Sequence, residues 1–331
     1  KIQAVAERAL GDHAGAVVVL DPQNGDILAM VSKPAFALDQ LTGSLERETW
    51  LRLVRDPRHP LLNRAIQGQY APGSVFKLVV AAAGLQEQIL TPFDRYRCSG
   101  SFQLGGWTFK DWKEEGHGEP DLRQAIVQSC NVYFYQAGLK VGIEAIEKYA
   151  KAFGFGQPTN IPLPGEKVGL IPSPAWRRER FGRPWHRGDT VNVSIGQGQV
   201  LTTPLQVARF MAALANGGIL WAPRLIQRVE SPSGQVISTT PPRVTGRVDL
   251  APVVFAFLQQ SLWGVVNEGG TGAAARLGGI DIAGKTGTAQ TIRGSQAAKG
   301  QDHAWFAAFA PRDHPRVVVV VLVERGGKGG Q

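Results

Sequence analysis

Cysteine is nearly missing from this sequence: Cys98 and Cys130 are the only two among 331 residues. Two cysteines cannot staple a disulfide scaffold, so the fold must rest on a buried core; a single bridge between them, or a ligand role for one, both stay open. Long hydrophobic runs are lacking too. The longest, such as "VVVVVLV" at 317–323, fall far short of the ~20 residues that cross a bilayer. Acidic residues are outnumbered, 27 against 36 Lys and Arg, which leaves a net charge of +9. That balance points to anionic surroundings: a membrane surface, a nucleic acid or an acidic polymer. A nucleic-acid signature is not among the motifs. The basic and aromatic stretch "WRRERFGRPWHR" at 176–187 is flanked by prolines, has no helical period and reads as a solvated loop. There are no repeats, and no low-complexity tract beyond the tail "GGKGGQ". The chain begins at Lys1 with no signal peptide, so it is expected to be a processed or truncated piece with any membrane anchor upstream.

What is present is ordinary globular protein, 43% hydrophobic and 8% aromatic, long enough for one large domain or two intimate lobes. "AGAVVVLDPQNGDILAMVSKPAF" at 14–36 reads as two strands around a turn, a hairpin. "GGIDIAGKTGTAQ", "HAWFAAFAP" and "RVVVVVLVER" read as three more strands near the other end. Between them the pattern is mainly helical, over 75–88, 121–139, 142–153 and 203–216. The expected fold class is α/β of the α+β type. Strands from about 1–36 and 275–331 form a central antiparallel sheet of about five strands with flanking helices, and a mainly helical lobe is inserted between them. No boundary is drawn, and 1–331 is expected to be a single domain.

"QYAPGSVFKLVV" at 69–80 sets Ser74 and Lys77 on one face at the start of an apolar helix. A capping serine is the ordinary reading of Ser74. Lys77 argues against it, because a cation in a first turn opposes the helix dipole and is poorly solvated among apolar neighbours. Both effects lower its pKa, and a hydroxyl beside a lysine that can be neutral is a nucleophile with its base. Two further motifs follow in order. "VQSCNVYFYQ" supplies Ser129-Cys130-Asn131 on a helix or at a helix-to-loop boundary, and "AGKTGTAQ" supplies Lys285-Thr286-Gly287-Thr288 on a strand. Each is common alone; the ordered set resembles that of penicillin-binding proteins and active-site-serine β-lactamases.

The sequence resembles the class B penicillin-binding proteins throughout its length, and most of all the penicillin-binding protein 2 group of the rod-elongation machinery. The resemblance implies a peptidoglycan D,D-transpeptidase at the outer face of the bacterial cytoplasmic membrane, cross-linking stem peptides and inhibited by β-lactams, without an organic cofactor. Ser74 would attack the D-Ala-D-Ala carbonyl, Lys77 would take its proton, and Ser129 would relay that proton to the leaving amine. Asn131 would hold Lys77 or the substrate amide. Lys285 would attract the terminal carboxylate and keep Lys77 deprotonated; Thr286 would bond that carboxylate. Gly287 would leave room for substrate backbone, and the N–H groups of Ser74 and Thr288 would form the oxyanion hole. Implied partners are a SEDS-family glycosyltransferase and scaffold proteins of the elongation complex, with no nucleic acid and with membrane attachment through an anchor absent from this chain.

Rival readings share the motifs. A β-lactamase needs a base for water, and Glu166 lies 37 residues past Ser129, but "PLPGEKVGL" lacks the asparagine expected four residues later and fits a turn cap. A D,D-carboxypeptidase differs only in using water as acceptor. A β-lactam-sensing receptor domain would acylate without turnover. Asp94, Asp111, His117 and Cys130 form a candidate tetrahedral zinc set of irregular spacing. The ordinary alternative is a cap, a loop histidine and a small buried hydrophobe. Some members of the penicillin-binding protein 2 group carry an Asp, Asp, His, Cys zinc site here, so the resemblance implies a structural zinc at these four residues.

Overall fold

The computed structural model describes residues 1–41, 46–290 and 302–330. The remaining positions of the 1–331 domain expected above lie outside the described residues. Along the first half run α1 (Ile2–Leu10), β1 (Gly15–Leu20), β2 (Ile27–Lys33), α2 (Arg47–Arg55), α3 (Lys77–Gln86), β3 (Ser101–Leu104), β4 (Trp107–Lys110), α4 (Leu122–Val127), α5 (Asn131–Val141) and α6 (Ile143–Ala152). The second half holds α7 (Pro174–Phe181), α8 (Arg187–Ser194), α9 (Pro204–Ala215), β5 (Ile219–Trp221), β6 (Arg228–Glu230), β7 (Val236–Thr239), β8 (Val244–Arg247), α10 (Pro252–Asn267), β9 (Ala283–Ala289), β10 (His303–Ala310) and β11 (Val317–Val323).

The five-stranded antiparallel sheet expected from the two ends of the chain is present, in the order β2-β1-β11-β10-β9. β1, "GAVVVL", is buried at every position because both of its faces are covered. Along β11 alternate residues go to opposite sides. Val318, Val320 and Leu322 enter the main core, while Val317, Val319, Val321 and Val323 pack with Val17, Val19 and Val31 under Ala6 and Leu10 of α1. On the main-core side lie α9 and α10. A capping box between Thr203 and Gln206 starts α9, and all its residues are buried. Residues 77–84 of α3 are likewise all buried, so this helix has no polar stripe to read.

Three expectations change. The predicted helix over 121–139 is two helices, broken where Ser129 takes φ 55 and Cys130 becomes the N-cap of α5. The basic stretch at 176–187 is not a loop throughout: Ser173 caps α7, Pro174 opens it and Gly182 closes it. None of its residues is buried, so no apolar period was needed to form it. The middle of the chain also carries three two-stranded sheets, β3-β4, β5-β8 and β6-β7.

Candidate active site

The segment leading to Ser74 is held by its backbone. Tyr70 exchanges both main-chain hydrogen bonds with Thr202, at 2.9 and 2.8 Å. The Trp305 indole donates to the Ala71 carbonyl at 3.0 Å, and Gly73 N–H donates to the Gly196 carbonyl at 3.0 Å. Gly73 sits at φ 54, and a Cβ there would come within 2.5 Å of the Thr288 carbonyl oxygen, so only glycine lets this turn close on β9. The close approach puts the main chain of Ser74 beside that of Thr288. Ser74 falls in a 3₁₀ turn, Gly73–Phe76, and Lys77 begins α3. The capping reading is thereby removed, since Pro72 holds the cap position and makes no side-chain cap bond.

Lys77 is fully buried, and its Nζ donates to Asn131 Oδ1 at 2.7 Å, to the Ser129 carbonyl at 2.7 Å and to Ser129 Oγ at 3.3 Å. Burial pushes its pKa down to about 8, against the pull of the Asp111 charge. The Ser129 carbonyl also accepts from Trp112 Nε1 at 3.1 Å. Two donors on one carbonyl fix Ser129 in a left-handed conformation that costs a non-glycine residue energy elsewhere in a chain.

β9 is an edge strand, with β10 on one side and the active-site cleft on the other. Lys285 lies on the same strand. It is wholly buried, its Nζ donates to the Thr286 carbonyl at 3.3 Å, and burial together with the charge of Lys77 holds its pKa well below the usual lysine value. The electrostatic coupling to Lys77 is present, but the depression at Lys77 itself comes from burial. Gly287 is needed for packing as well. A Cβ there would lie 2.8 Å from the Pro72 carbonyl oxygen and 3.0 Å from Trp305 Cβ, so the strand packs on the nucleophile turn through it. Thr286 Oγ1 lies 2.7 Å from Thr271 Oγ1, and Gln197 Nε2 donates to the Thr288 carbonyl at 2.9 Å.

Ser74, Ser129, Asn131, Thr286, Gly287 and Thr288 line one cleft of about 440 Å³. A groove of about 1020 Å³ adjoins it, running from Tyr70 past Trp112 and Asn131 to Gln197 and His303.

Behind Ser129 lies a second cluster. Ligand-type atoms of Cys98, Asp111, His117 and Cys130 all lie within 4.8 Å of one another. Asp94 is not part of it. That carboxylate accepts from Thr91 at 2.7 Å and pairs with Lys140 at 3.0 Å, and Cys98 stands where Asp94 was expected. The reason is the bridge between Cys98 and Gly118, which closes the loop so that Cys98 faces His117. Both cysteines are free thiols. Cys98 Sγ and Cys130 Sγ lie 3.5 and 3.4 Å from Asp111 Oδ2; His117 Nδ1 lies 3.5 Å from Asp111 Oδ1 and 3.6 Å from Cys98 Sγ. Burial raises Asp111, but hydrogen bonds from the Val132 and Lys113 N–H groups outweigh it and keep the carboxyl below its usual value. Burial holds His117 toward the neutral form and pushes the Cys130 thiol up. The Tyr133 N–H points at Cys130 Sγ at 3.3 Å, a donor suited to a thiolate. A carboxylate, a neutral imidazole and two sulfurs around one point fit a tetrahedral soft cation.

The family model described as "Penicillin binding protein transpeptidase domain" matches residues 15–331. The chain belongs to this family. Peptidoglycan D,D-transpeptidase MrdA of Haemophilus influenzae is 37% identical over 343 residues, covering 99% of this chain and 52% of the relative. The chain thus spans about half the length of that curated relative. The solved complex between penicillin-binding protein PBP2 and MreC from Helicobacter pylori matches with a TM-score of 0.88 and 32% identity, over 99% of this chain and 59% of the other. Penicillin-binding protein A of M. tuberculosis, solved as an imipenem acyl-enzyme complex, matches with a TM-score of 0.82 and 32% identity, over 95% and 69%.

In this penicillin-binding transpeptidase domain Glu166 is a turn cap, as its context suggested. Its carboxylate accepts from Thr159 N–H and Oγ1 at 2.8 and 2.5 Å and from Asn160 N–H at 3.2 Å. Sequence reasoning missed Trp112, Gln197 and Thr271 on the cleft wall. No motif announces them; they arrive from distant loops. Cys98 carries a signal of its own: it is the one other thiol in the sequence besides Cys130.

Proposed function

We propose that this chain is a single transpeptidase domain, a serine D,D-transpeptidase that cross-links peptidoglycan stem peptides through a Ser74 acyl-enzyme in cell elongation and shape maintenance. The observation that carries the reading is a fully buried Lys77, with a pKa near 8, bonded to Ser129 and Asn131 at the floor of the cleft that Ser74 lines. Ser74 Oγ attacks the penultimate D-Ala carbonyl while neutral Lys77 removes its proton. The main-chain N–H groups of Ser74 and Thr288 hold the oxyanion, at ~3–4 kcal/mol per donor in related chemistry. Ser129 Oγ passes the proton from Lys77 to the departing D-Ala amine, and Asn131 keeps Lys77 aimed. Lys285 sits behind Thr286 and resists a second positive charge next to Lys77. Thr286 and Thr288 hydroxyls receive the substrate carboxylate, and the stem peptide lies along the open edge of β9. The amine of a second stem peptide then attacks the ester, forms the new amide and frees Ser74.

The same reading gives β-lactams as acylating inhibitors and places the protein in a bacterial envelope, on the outer side of the cytoplasmic membrane. A scaffold such as MreC, named with the Helicobacter pylori relative, and a SEDS-family glycosyltransferase are its expected partners. Cys98, Asp111, His117 and Cys130 would hold a structural zinc, which when bound would supply a cross-link bracing the 111–118 loop against the Ser129 segment.

Benzylpenicillin should add one covalent equivalent at Ser74, lasting many minutes, and Ser74→Ala should abolish it in intact-protein mass spectrometry. An adduct on another peptide would overturn the assignment. Rapid loss of the adduct with nitrocefin turnover would mark a β-lactamase. D-Ala release from a pentapeptide without dimer formation in the presence of acceptor would mark a carboxypeptidase, and an adduct with neither product a sensor.

A further inference from the structure

The basic and aromatic stretch at 176–187 takes no part in the chemistry above, yet its frame is firmly held. Ser173 caps α7, and Asp189 ties α7 to α8: one carboxylate oxygen accepts from Arg177 Nη1 at 2.8 Å and the other from the His186 N–H at 2.9 Å. The Trp185 indole donates to Thr190 Oγ1 at 2.8 Å. Trp176 meets the Phe181 ring edge-on, with centroids 5.4 Å apart, and Phe181 stays 50% exposed. This network uses the one acid of α8 internally. It leaves Arg178, Arg180, Arg183 and Arg187 exposed, and none of the four is in an ion pair among the described residues. Glu179 is the only acid of the stretch. Like charges this close repel one another, and the packing does not call for them, since no residue of α7 is buried.

The stretch borders the substrate groove. A Cβ on Gly188, next to Arg187, would lie 3.5 Å from Phe109 Cζ, and Asn192 Nδ2 donates to the Gly188 carbonyl at 2.9 Å. Phe109 and Asn192 both line the groove of about 1020 Å³ that adjoins the Ser74 cleft, and the exposed Lys110 stands beside Phe109. A ligand long enough to leave the groove over this wall meets the arginines. A β-lactam is too small to do so, but an un-cross-linked glycan strand is not. Such a strand carries stem peptides at intervals, each ending in a carboxylate, and its sugar rings offer apolar faces to an aromatic such as Phe181. One carboxylate gains little from one exposed arginine; several on one polymer gain together, because each contact raises the effective concentration of the next.

We propose that residues 176–187 form a docking surface for the glycan strand whose stem peptide occupies the groove, the arginines pairing with carboxylates of neighbouring, unreacted stem peptides. This rests on the transpeptidase reading and adds to it a polymer-binding surface outside the cleft. The surface favours strands over isolated peptides and does not touch the reacting atoms.

The test uses a variant carrying Arg178→Gln, Arg180→Gln, Arg183→Gln and Arg187→Gln, compared with the unaltered chain. Both are made with Ser74→Ala for binding, so that no strand is consumed, and with Ser74 intact for acylation. Binding is measured to un-cross-linked peptidoglycan strands, to the same strands with their carboxylates amidated, and to anionic-lipid vesicles. The variant should bind native strands about tenfold more weakly. Amidated strands should bind both proteins alike, and added salt should bring the unaltered chain down to the variant. Acylation by benzylpenicillin should be the same in both. Arg178→Gln with Arg183→Gln alone should give a smaller loss in the same direction, which keeps the test decisive if the fourfold change disturbs folding. Equal binding of native strands, or an equal loss with amidated strands, overturns the docking surface. So does a loss of vesicle binding that matches the loss of strand binding, which would assign the stretch to a membrane. Failure of the unaltered chain to acylate overturns the transpeptidase reading instead, whereas intact acylation with equal strand binding overturns this inference alone.

Discussion

Lys77 is the residue on which the chemistry turns. A lysine in water is protonated at neutral pH and useless as a base; burial among apolar side chains brings its pKa down to about 8, within reach of physiological pH. Acylation should therefore rise with pH through about 8 and level off above it, measured as the second-order rate constant with benzylpenicillin. A flat profile from pH 6 to 10 would remove Lys77 as the base. Lys77→Arg should acylate at least a hundredfold more slowly, because a guanidinium stays charged and planar where a compact, neutral amine is needed. Ser129 shows the same economy of means. Its strained backbone places its carbonyl and its hydroxyl on Lys77 at once.

At the scale of elements, the loop between β4 and α4 links the two clusters. Trp112 reaches the Ser129 carbonyl from one side, and Asp111 reaches the Val132 N–H and both sulfurs from the other. A metal held there would stiffen the segment that carries Ser129 and Asn131. Protein purified without chelator should contain about one zinc per chain by elemental analysis. Cys98→Ser and Cys130→Ser should each lose it, while Asp94→Asn should keep it. Strong chelation should lower the melting temperature by several degrees and slow acylation without abolishing it. Zinc retained in Cys98→Ser, or lost in Asp94→Asn, would restore the set first expected from the sequence.

Across the whole molecule, the nucleophile segment is tied to the far end of the chain by an ion pair between a buried arginine and a half-buried glutamate. Arg64, 2% exposed at its side chain, donates from Nε to Glu324 Oε1 at 2.8 Å, and Tyr70 O–H donates to the same oxygen at 2.7 Å. Burial raises the Glu324 carboxyl, but the Arg64 and Tyr70 bonds outweigh it and leave its pKa below 4.5. The folded-state pKa is thus depressed, so this contribution to stability is complete above the unfolded value of 4.5 and is lost as pH falls through the folded one. Glu324→Gln strands the Arg64 charge and should cost ~3 kcal/mol in urea unfolding at pH 7. The gap between the native chain and the variant should narrow below pH 4. An unchanged gap there would show that the carboxylate is not what Arg64 relies on.

Sequence alone determined the class of fold and the five motif residues Ser74, Lys77, Ser129, Asn131 and Lys285, because strand patterning and helix-face spacing are local properties written in neighbouring residues. The five-stranded sheet followed from apolar runs at both ends. What it misjudged depended on distant segments. Helix continuity through 121–139 failed at Ser129, whose backbone is held by Lys77 and Trp112 from elsewhere in the chain. The choice of Cys98 over Asp94 was made by the turn of a loop onto Gly118, which four residues of separation in sequence do not reveal. The complete burial of Lys285 was not legible because burial is a property of the assembled sheet and helices. Local order is encoded residue by residue; which charges meet solvent, ligand or one another is decided only when the segments close on a common core.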